Sequence, residues 1–267
     1  MTTRIAILGA TGRMGRAITQ AAAAVPAVRL AAAIEKSGSS EAGQDAAVIA
    51  GLPASGVVVC ESLEKCLDQF DVLIDFTRPD ATLAALEICA RHGKRAVIGT
   101  TGFTAEQKKQ IEAAAQKTAV CMSGNFSIGI NLCLKLVAEA ARALGDGFDI
   151  EIVESHHRHK VDAPSGTALM LGEAAAQGAG RKLADSALYA RQGHVGARER
   201  STIGFSTIRG GDVVGDHTVM FLGEGERVEI THKASNRLNF ANGAVRAAAW
   251  LAPRKPGLYS MQDVLAG

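Results

Sequence analysis

The residues best suited to chemistry lie in a basic run near the middle of the chain. Residues 156–160 read HHRHK, so three histidines, one arginine and one lysine fall within five positions. This much positive charge suits a ligand with two carboxylates, because each carboxylate favours charge-assisted hydrogen bonds. Residues 164–167 (PSGT) are typical of a helix start, whose free N–H groups and Thr167 hydroxyl form a second carboxylate cradle.

Two other interpretations of the basic run stay open at this point. The histidines could bind zinc, although the chain has no HExxH or CxxC motif, and His156 and His157 would point to opposite faces of a continuing strand. The run could also be a solvated loop without a ligand. Burying so many like charges is costly without an anionic partner, so the run is either exposed to solvent or bound to a ligand.

A second candidate site is the glycine loop GATGRMG at residues 9–15, which follows an apolar run directly. Gly9 permits a tight turn, Gly12 lets a pyrophosphate approach the backbone, and Gly15 allows close packing of helix on strand. A glycine turn of this kind also occurs in proteins that bind no nucleotide. The acidic Glu35, 20 residues after Gly15, favours the nucleotide interpretation, because it can accept hydrogen bonds from an adenosine ribose.

The residues beside Glu35 bear on the choice of dinucleotide. Glu35 itself favours NAD, whereas Lys36 and Arg13 are placed to neutralise the 2′-phosphate of NADP. We therefore expect the protein to use either NADH or NADPH. Two later strand ends add candidates: Arg78 could cover the adenine, and the backbone of residues 99–101 could face the nicotinamide carboxamide. Each could equally be an ordinary connecting loop.

The elements that must hold these residues follow from the hydrophobic pattern. In the first half, nearly continuous apolar runs at residues 4–9, 28–34, 57–59, 72–75, 96–98 and 119–122 alternate with helical patterns at 13–24, 81–91 and 105–117. This alternation predicts α/β architecture, with a Rossmann-like, doubly wound parallel sheet.

The second half of the chain has a different order of predicted helices and strands. A long apolar helix at residues 127–144 precedes strand candidates at 148–155, 202–209, 213–222 and 227–233, the last three joined by glycine turns as a meander. This predicts an α+β domain with a mostly antiparallel sheet. The tail helix at 240–251 could pack on either domain.

Length and composition exclude several classes of protein. The chain has 267 residues, enough for about two domains. Its formal net charge of +2 is too balanced for a protein dedicated to nucleic acid or to an anionic membrane. No apolar run approaches the ~20 residues that span a bilayer, and the start lacks the features of a signal peptide. The five cysteines form no CxxC pair, so we expect a cytoplasmic protein with reduced thiols.

Taken together, GATGRMG and ESHHRHKVDAPSGTA resemble the dihydrodipicolinate reductase family. DFTRP, IGTTGF, SGNFSIGIN and THKASNR extend the resemblance over essentially the whole chain. The resemblance implies a homotetramer that reduces 4-hydroxy-tetrahydrodipicolinate, or its dehydrated form dihydrodipicolinate, with NAD(P)H on the diaminopimelate route to lysine. It also implies that the last helix returns to the N-terminal domain. The predicted domains are therefore residues 1–126 with 237–267, which bind the dinucleotide, and 127–236, which bind the substrate and build the oligomer. One departure is Lys36, where relatives often carry arginine, and it bears on the cofactor preference alone.

The resemblance also implies roles for particular residues. The catalytic pair falls on His156 and Lys160, and the substrate carboxylate positions fall on His157, Gly166 and Thr167. The cofactor positions fall on Gly9, Ala10, Thr11, Gly12, Arg13, Met14, Glu35, Lys36, Gly99, Thr100, Thr101, Ser123, Gly124, Asn125 and Phe126. No metal is implied.

The chemistry of the residues agrees with these roles. Hydride addition to a conjugated imine leaves negative charge on carbon or nitrogen, so an acid must supply a proton. Lys160 can be that acid, and His156 can orient the ring and relay the proton. For this to work, the dinucleotide pocket and the diacid pocket must face each other across an interdomain cleft. The alternatives are another Rossmann-fold dehydrogenase and an NAD(P)-sensing regulator without catalysis.

Overall fold

The computed structural model describes residues 2–267, which divide into two compact units. Unit 1 contains the chain up to Ile128 together with Arg237–Gly267, and unit 2 contains Gly129–Asn236. The first boundary lies two residues after the one drawn from the sequence at residue 126.

Strands and helices are numbered along the chain. The strands are β1 (Thr3–Leu8), β2 (Val28–Ile34), β3 (Val59–Cys60), β4 (Val72–Asp75), β5 (Arg95–Ile98), β6 (Ala119–Met122), β7 (Asp149–His156), β8 (Ala187–Leu188), β9 (Ile203–Arg209), β10 (Gly215–Leu222), β11 (Arg227–Ala234) and β12 (Gly257–Tyr259). The α-helices are α1 (Arg13–Ala23), α2 (Ala46–Ile49), α3 (Pro79–Arg91), α4 (Ala105–Ala115), α5 (Ile128–Leu144), α6 (Gly166–Gly178), α7 (Leu183–Ser186), α8 (Leu238–Leu251) and α9 (Met261–Ala266).

Unit 1 is built on a parallel sheet of seven strands in the order β12-β6-β5-β4-β1-β2-β3. Helices cover both faces of the sheet, which is why its central strands are apolar throughout; all four residues of β4 are buried. This is the doubly wound Rossmann-like architecture, and the predicted fold class is confirmed. The last residues of β1, β4 and β5 lie in register, Leu8 beside Asp75 and Asp75 beside Ile98. The loops that follow these strands therefore leave the sheet at one edge.

The tail helix α8 belongs to unit 1, where it packs against α1. Its side chains Ala244, Val245 and Leu251 are fully buried in the core of that unit. Gly243 allows the close approach, because a Cβ at this position would collide with the carbonyl oxygen of Phe126.

Unit 2 holds a five-stranded sheet in the order β11-β10-β7-β9-β8. The sheet is mixed rather than mostly antiparallel, since β10 runs antiparallel to β7 and β11 whereas β9 runs parallel to β7 and β8. The prediction that β9, β10 and β11 form a meander is wrong for one of the two connections. β7 lies between β9 and β10, and only β10 and β11 form the expected hairpin. A glycine turn reverses the chain but does not decide which strand becomes the neighbour.

Candidate active site

The glycine loop between β1 and α1 is constrained by its own backbone. Gly9 has a φ of +70°, a backbone conformation that residues with a side chain rarely adopt. A Cβ there would also lie 2.8 Å from Cγ2 of Thr77. A Cβ at Gly15 would collide with the carbonyl oxygens of Gly9 and Ala10. Gly12 is the extended N-cap of α1 and supplies no side-chain cap. The loop therefore presents an uncapped helix N-terminus, which suits a phosphate group.

Glu35 at the end of β2 lies against this loop. Its Oε1 accepts hydrogen bonds from the backbone N–H of Thr11 (3.1 Å) and from its hydroxyl (2.9 Å). The structure thus brings together two of the residues that the sequence assigned to the dinucleotide. Lys36 and Arg13 are exposed at the same edge, where cations are free to meet a phosphate.

The loops after β4, β5 and β6 are packed together by Phe76. Its ring fills the space that a side chain at Gly99 would need, and it meets the ring of Phe126 edge-on at 5.5 Å. Asp75 holds the first of these loops, since its Oδ1 accepts from the backbone N–H (2.7 Å) and hydroxyl (2.6 Å) of Thr77. Burial raises the pKa of Asp75, although the hydroxyl hydrogen bonds oppose the shift.

The remaining cofactor candidates follow the same strand ends. Arg78 is exposed at the N-cap of α3, and Thr100 is buried, where it accepts a hydrogen bond from the hydroxyl of Thr82 (2.9 Å). The side chain of Phe126 is buried in the core, so only its backbone could meet a ligand. The candidates that occupy the loops at this edge of the sheet, or the first turn of α1, are Gly9, Ala10, Thr11, Gly12, Arg13, Met14, Glu35, Lys36, Arg78, Gly99, Thr100, Thr101, Ser123, Gly124, Asn125 and Phe126.

In unit 2, the chemistry-bearing residues continue one row of core side chains. Strand β7 alternates buried and half-buried residues, so Ile150, Ile152, Glu154 and His156 share one buried face. The row is apolar at its start and polar at its end. Neighbouring strands contribute His217 from β10 and Arg209 from β9, which lie in register with Glu154 and His156 respectively.

Glu154 is the centre of this polar end and is 1% exposed. Its Oε2 lies 2.6 Å from Nδ1 of His156 and accepts from Nη1 of Arg209 (2.7 Å). Its Oε1 accepts from Nη2 of Arg209 (2.8 Å) and from the backbone N–H of Ser165 (3.0 Å). Burial alone would raise the pKa of Glu154, but the hydrogen bonds from Arg209 and His156 hold it below its ordinary value. The carboxylate is therefore ionised near neutral pH.

The two histidines next to this carboxylate are held neutral by burial. Burial lowers the pKa of His156, and Glu154 opposes the shift only in part. Burial lowers the pKa of His217 to about 4. Nε2 of His217 lies 3.0 Å from Oγ of Ser165, which in turn accepts from the backbone N–H of Ala168 and so caps α6.

The rest of the basic run lies in the loop between β7 and α6. Nζ of Lys160 donates to Oδ1 of Asp162 at 2.8 Å, and the backbone N–H of His157 donates to the carbonyl of Val213 at 2.7 Å. Gly166 is exposed at the first position of α6, with open space where a side chain would be. The structure thus joins His156 to the start of α6 through Glu154 and Ser165, whereas Lys160 pairs with Asp162.

Four residues of this site were missed by the sequence analysis: Glu154, Ser165, Arg209 and His217. The period-two pattern of β7 could have placed Glu154 beside His156. Arg209 and His217 carried no such signal, because their positions depend on a strand order that the turns did not predict. Within residues 2–267, no three metal-ligating side chains come together as an ion site, and no helix is long and apolar enough to cross a membrane.

A doubly wound sheet with a glycine loop, followed along the chain by a second unit with a buried His–Glu pair, defines the class: a two-domain protein built on a Rossmann-like fold. Comparison with family models makes the assignment specific. The model described as "Dihydrodipicolinate reductase, N-terminus" matches residues 3–126, and "Dihydrodipicolinate reductase, C-terminus" matches residues 129–265. The chain belongs to the dihydrodipicolinate reductase family, which confirms the resemblance drawn from its motifs.

Solved structures agree with this assignment. A dipicolinate-bound dihydrodipicolinate reductase from Paenisporosarcina sp. TG-14 is 29% identical, with a TM-score of 0.77 over 97% of this chain and 98% of that chain. An amine dehydrogenase from Mycobacterium smegmatis is 13% identical, with a TM-score of 0.61 over 98% of this chain and 95% of that one. GenD2 from gentamicin A biosynthesis, in complex with NAD, is 14% identical, with a TM-score of 0.60 over 99% and 90%. The last two share the fold.

Proposed function

We propose that the protein reduces 4-hydroxy-tetrahydrodipicolinate, or its dehydrated form dihydrodipicolinate, to tetrahydrodipicolinate on the diaminopimelate route to lysine. The observation that carries the proposal is the polar end of the β7 row, where an ionised Glu154 holds His156 beside the start of α6. The related reductase from Paenisporosarcina sp. TG-14 is described as binding dipicolinate, a planar dicarboxylate. This supports a small cyclic diacid as the substrate.

Recognition of the diacid is assigned to the loop after β7 and to α6. One carboxylate binds at the start of α6, beyond the Ser165 cap, where the N–H groups of Gly166 and Thr167 and the Thr167 hydroxyl are the donors. His157 and Lys160 supply charge or hydrogen bonds to the same ligand. Two separated anion sites fix the ring in one orientation, which is the proximity contribution to catalysis.

The proton that completes the reduction is assigned to Lys160. A nicotinamide bound at the glycine loop would supply a hydride, and hydride addition to the conjugated imine would leave negative charge on the substrate. The Lys160 ammonium, released from Asp162, is the acid that meets this charge, and His156 holds and relays the proton. Asp162 therefore keeps the ammonium in place until the diacid arrives.

We propose NADH or NADPH as the cofactor, bound at the glycine loop with its adenosine ribose at Glu35. The uncapped N-terminus of α1 fits a pyrophosphate, and the exposed Lys36 and Arg13 fit a 2′-phosphate. Ratios of kcat/KM for the two cofactors, compared between the wild-type protein and Lys36→Ala, measure the preference. We expect the substitution to lower kcat/KM with NADPH more than with NADH.

We also propose that the protein works in the cytoplasm as a homotetramer built on the sheet of unit 2. Exposed apolar side chains on β9 and β11 support this, with Ile208 52% and Val228 38% exposed. Light scattering coupled to size-exclusion chromatography measures the mass. A monomer at micromolar concentration contradicts the tetramer and leaves the reaction untouched.

The proposed reaction is tested by NAD(P)H oxidation on addition of the product of the preceding condensation. We expect Lys160→Ala to lower turnover by about two to four orders of magnitude, the usual scale of acid–base catalysis. Lys135→Ala, at an exposed position on α5 of the same unit, is the matched control and should keep wild-type turnover. Wild-type turnover in a folded Lys160→Ala protein would refute the acid role. Cofactor binding without oxidation in the wild-type protein would instead indicate a sensor.

A further inference from the structure

Glu154 contacts hydrogen-bond donors from four residues, and only one of these residues, His156, lies on the same strand. In addition to the contacts from His156, Arg209 and Ser165, the hydroxyl of Thr207 lies 3.4 Å from its Oε1. We propose that Glu154 is a positioning residue that fixes the proton of His156 on Nδ1, presents Nε2 to the substrate, and ties this ring to the carboxylate cradle of α6. The inference rests on the proposed function, because it concerns the same substrate.

The tautomer follows from the chemistry of the carboxylate. An ionised glutamate only accepts hydrogen bonds, so the 2.6 Å contact with Nδ1 of His156 requires a proton on Nδ1. The two N–H bonds from Arg209 keep the carboxylate ionised despite its burial. In the neutral imidazole Nε2 then carries the lone pair, so it is the nitrogen able to accept and return a proton.

Nε2 of His156 lies close to the backbone of strand β10. Strand β10 passes here with Gly215, and a Cβ at that position would lie only 2.9 Å from Nε2 of His156. The ring itself is held by His217, whose ring meets it edge-on at 5.1 Å. The lack of a side chain at position 215 therefore preserves the space that Nε2 needs.

The same carboxylate also reaches the cradle. Ser165 donates its backbone N–H to Glu154 and caps α6 with its hydroxyl, directly before Gly166 and Thr167. Ring and cradle are thus positioned by one buried group. Loss of Glu154 should disturb proton transfer and carboxylate binding together, which distinguishes it from a residue that serves only one of them.

The charged and titratable groups facing His156 come from every element packed around it. They are Glu154 on its own strand, Lys160 in the following loop, Arg209 on β9 and His217 on β10. Glu154 is the single anion among them, and it raises the pKa of His156 while Lys160 and Arg209 lower it. Replacing it by glutamine removes the one favourable charge, so the pKa of His156 should fall further. Any acidic limb of kcat/KM that reports His156 should move to lower pH.

The experiment compares Glu154→Gln and Glu154→Asp with the matched control Glu151→Gln. Glu151 lies on the same strand and also pairs with arginine, in its case with both Arg191 and Arg198, at 2.8 and 2.9 Å. Imidazole ¹⁵N NMR of the protein without substrate reports the tautomer, with the signal of His156 assigned by its absence in His156→Gln. The pH profiles of kcat and KM are measured on the same proteins.

We expect the Nδ1–H tautomer in the wild-type protein and in Glu151→Gln, and a gain of Nε2–H in Glu154→Gln. We expect kcat for Glu154→Gln to fall by roughly a hundredfold, with a raised substrate KM, and Glu154→Asp to recover part of both. Wild-type His156 with its proton on Nε2, or a folded Glu154→Gln protein with wild-type kcat and pH profile, would overturn the proposal. If Glu154→Gln does not fold, the wild-type tautomer and Glu154→Asp still decide. If the wild-type protein fails to reduce the substrate, the proposed function fails while the tautomer measurement still stands.

Discussion

The buried acids of the two units show how partners decide the charge of a side chain. Asp75 and Glu154 are both 1% exposed. The pKa of Asp75 is raised by burial because its partners are hydroxyl and amide groups. The pKa of Glu154 is lowered, against the same effect of burial, because Arg209 supplies a positive charge. Asp75 is therefore suited to fix the loop after β4, whereas Glu154 is suited to remain negatively charged.

His217 should make the stability of unit 2 dependent on pH. Burial lowers its pKa from 6.5 to about 4 in the folded protein, so between these values the unfolded chain binds the extra proton. The free energy of unfolding should therefore fall as the pH drops from 6.5 towards 4, by up to about 3 kcal/mol from this group. His217→Gln, which does not titrate, should lose this contribution. Urea unfolding of both proteins at pH 7.5 and 4.5 measures it.

The informative quantity is the difference between the two proteins, since other groups titrate equally in both. At pH 7.5 the wild-type protein should be the more stable, because glutamine does not restore the packing against His156. At pH 4.5 this advantage should shrink or reverse. An advantage that stays constant between the two pH values contradicts a neutral His217.

At this scale the sequence singled out the basic run and missed Glu154 and Arg209, the ion pair that holds His156. The run of residues 156–160 is local and unusual in composition, so His156 and Lys160 could be chosen as candidates without a structure, and their catalytic roles stay predictions. Arg209 lies 55 positions from Glu154 along the chain. Its role depends on the register of β9 with β7, which no local pattern encodes.

Among the elements, the parallel sheet was easier to predict than the mixed one. Strands covered on both faces must be apolar throughout, and this makes β1, β2, β4, β5 and β6 visible as short apolar runs. Crossover helices then restrict how such strands can be ordered. In unit 2 the turn residues predicted chain reversals correctly but not the insertion of β7 between β9 and β10.

The glycine loop allows stability and ligand binding to be separated by two matched substitutions. A Cβ at Gly15 would collide with backbone oxygens of Gly9 and Ala10, so Gly15→Ala should lower the free energy of unfolding by about 1–3 kcal/mol, as overpacking does. A Cβ at Gly12 would lie 3.3 Å from the Gly9 oxygen, which is tight but tolerable. Gly12→Ala should change stability by less than about 1 kcal/mol and should weaken dinucleotide binding.

Chemical denaturation measures the first effect, and quenching of the single tryptophan, Trp250, or calorimetry with NADH measures the second. Gly15→Ala should therefore lose stability, whereas Gly12→Ala should keep most of its stability and lose affinity for the dinucleotide. Equal losses of stability would mean that helix and strand are not in close contact at Gly15. Unchanged NADH affinity in Gly12→Ala would mean that the dinucleotide does not approach this turn.

For the whole molecule, the chain closes unit 1 with its last 31 residues, after unit 2 has been inserted. The hydrophobic pattern alone left the partner of the tail helix open, because an alanine-rich helix with a broad apolar face can pack on many surfaces. Only the family resemblance placed this helix on unit 1. What fixes α8 on unit 1 is close packing. Ala241, Ala244 and Ala248 are fully buried, and Gly243 admits the Phe126 carbonyl. Such shape matching is visible only in three dimensions.

Unit 1 should therefore fold and bind the dinucleotide by itself when its two segments are joined. Phe126 approaches Gly243, so a Gly-Ser linker of about ten residues between Ile128 and Arg237 can span about 30 Å and should close the chain without strain. We expect this protein to unfold cooperatively and to bind NADH and NADPH, because the glycine loop and Glu35 both lie in unit 1. It should not oxidise either cofactor with the diacid, since His156 and Lys160 are absent.

The control, a chain that stops at residue 128, lacks the buried side chains of α8 and should not fold. Circular dichroism and calorimetry measure both proteins, and a folded unit 1 that binds neither cofactor would exclude the glycine loop as the dinucleotide site.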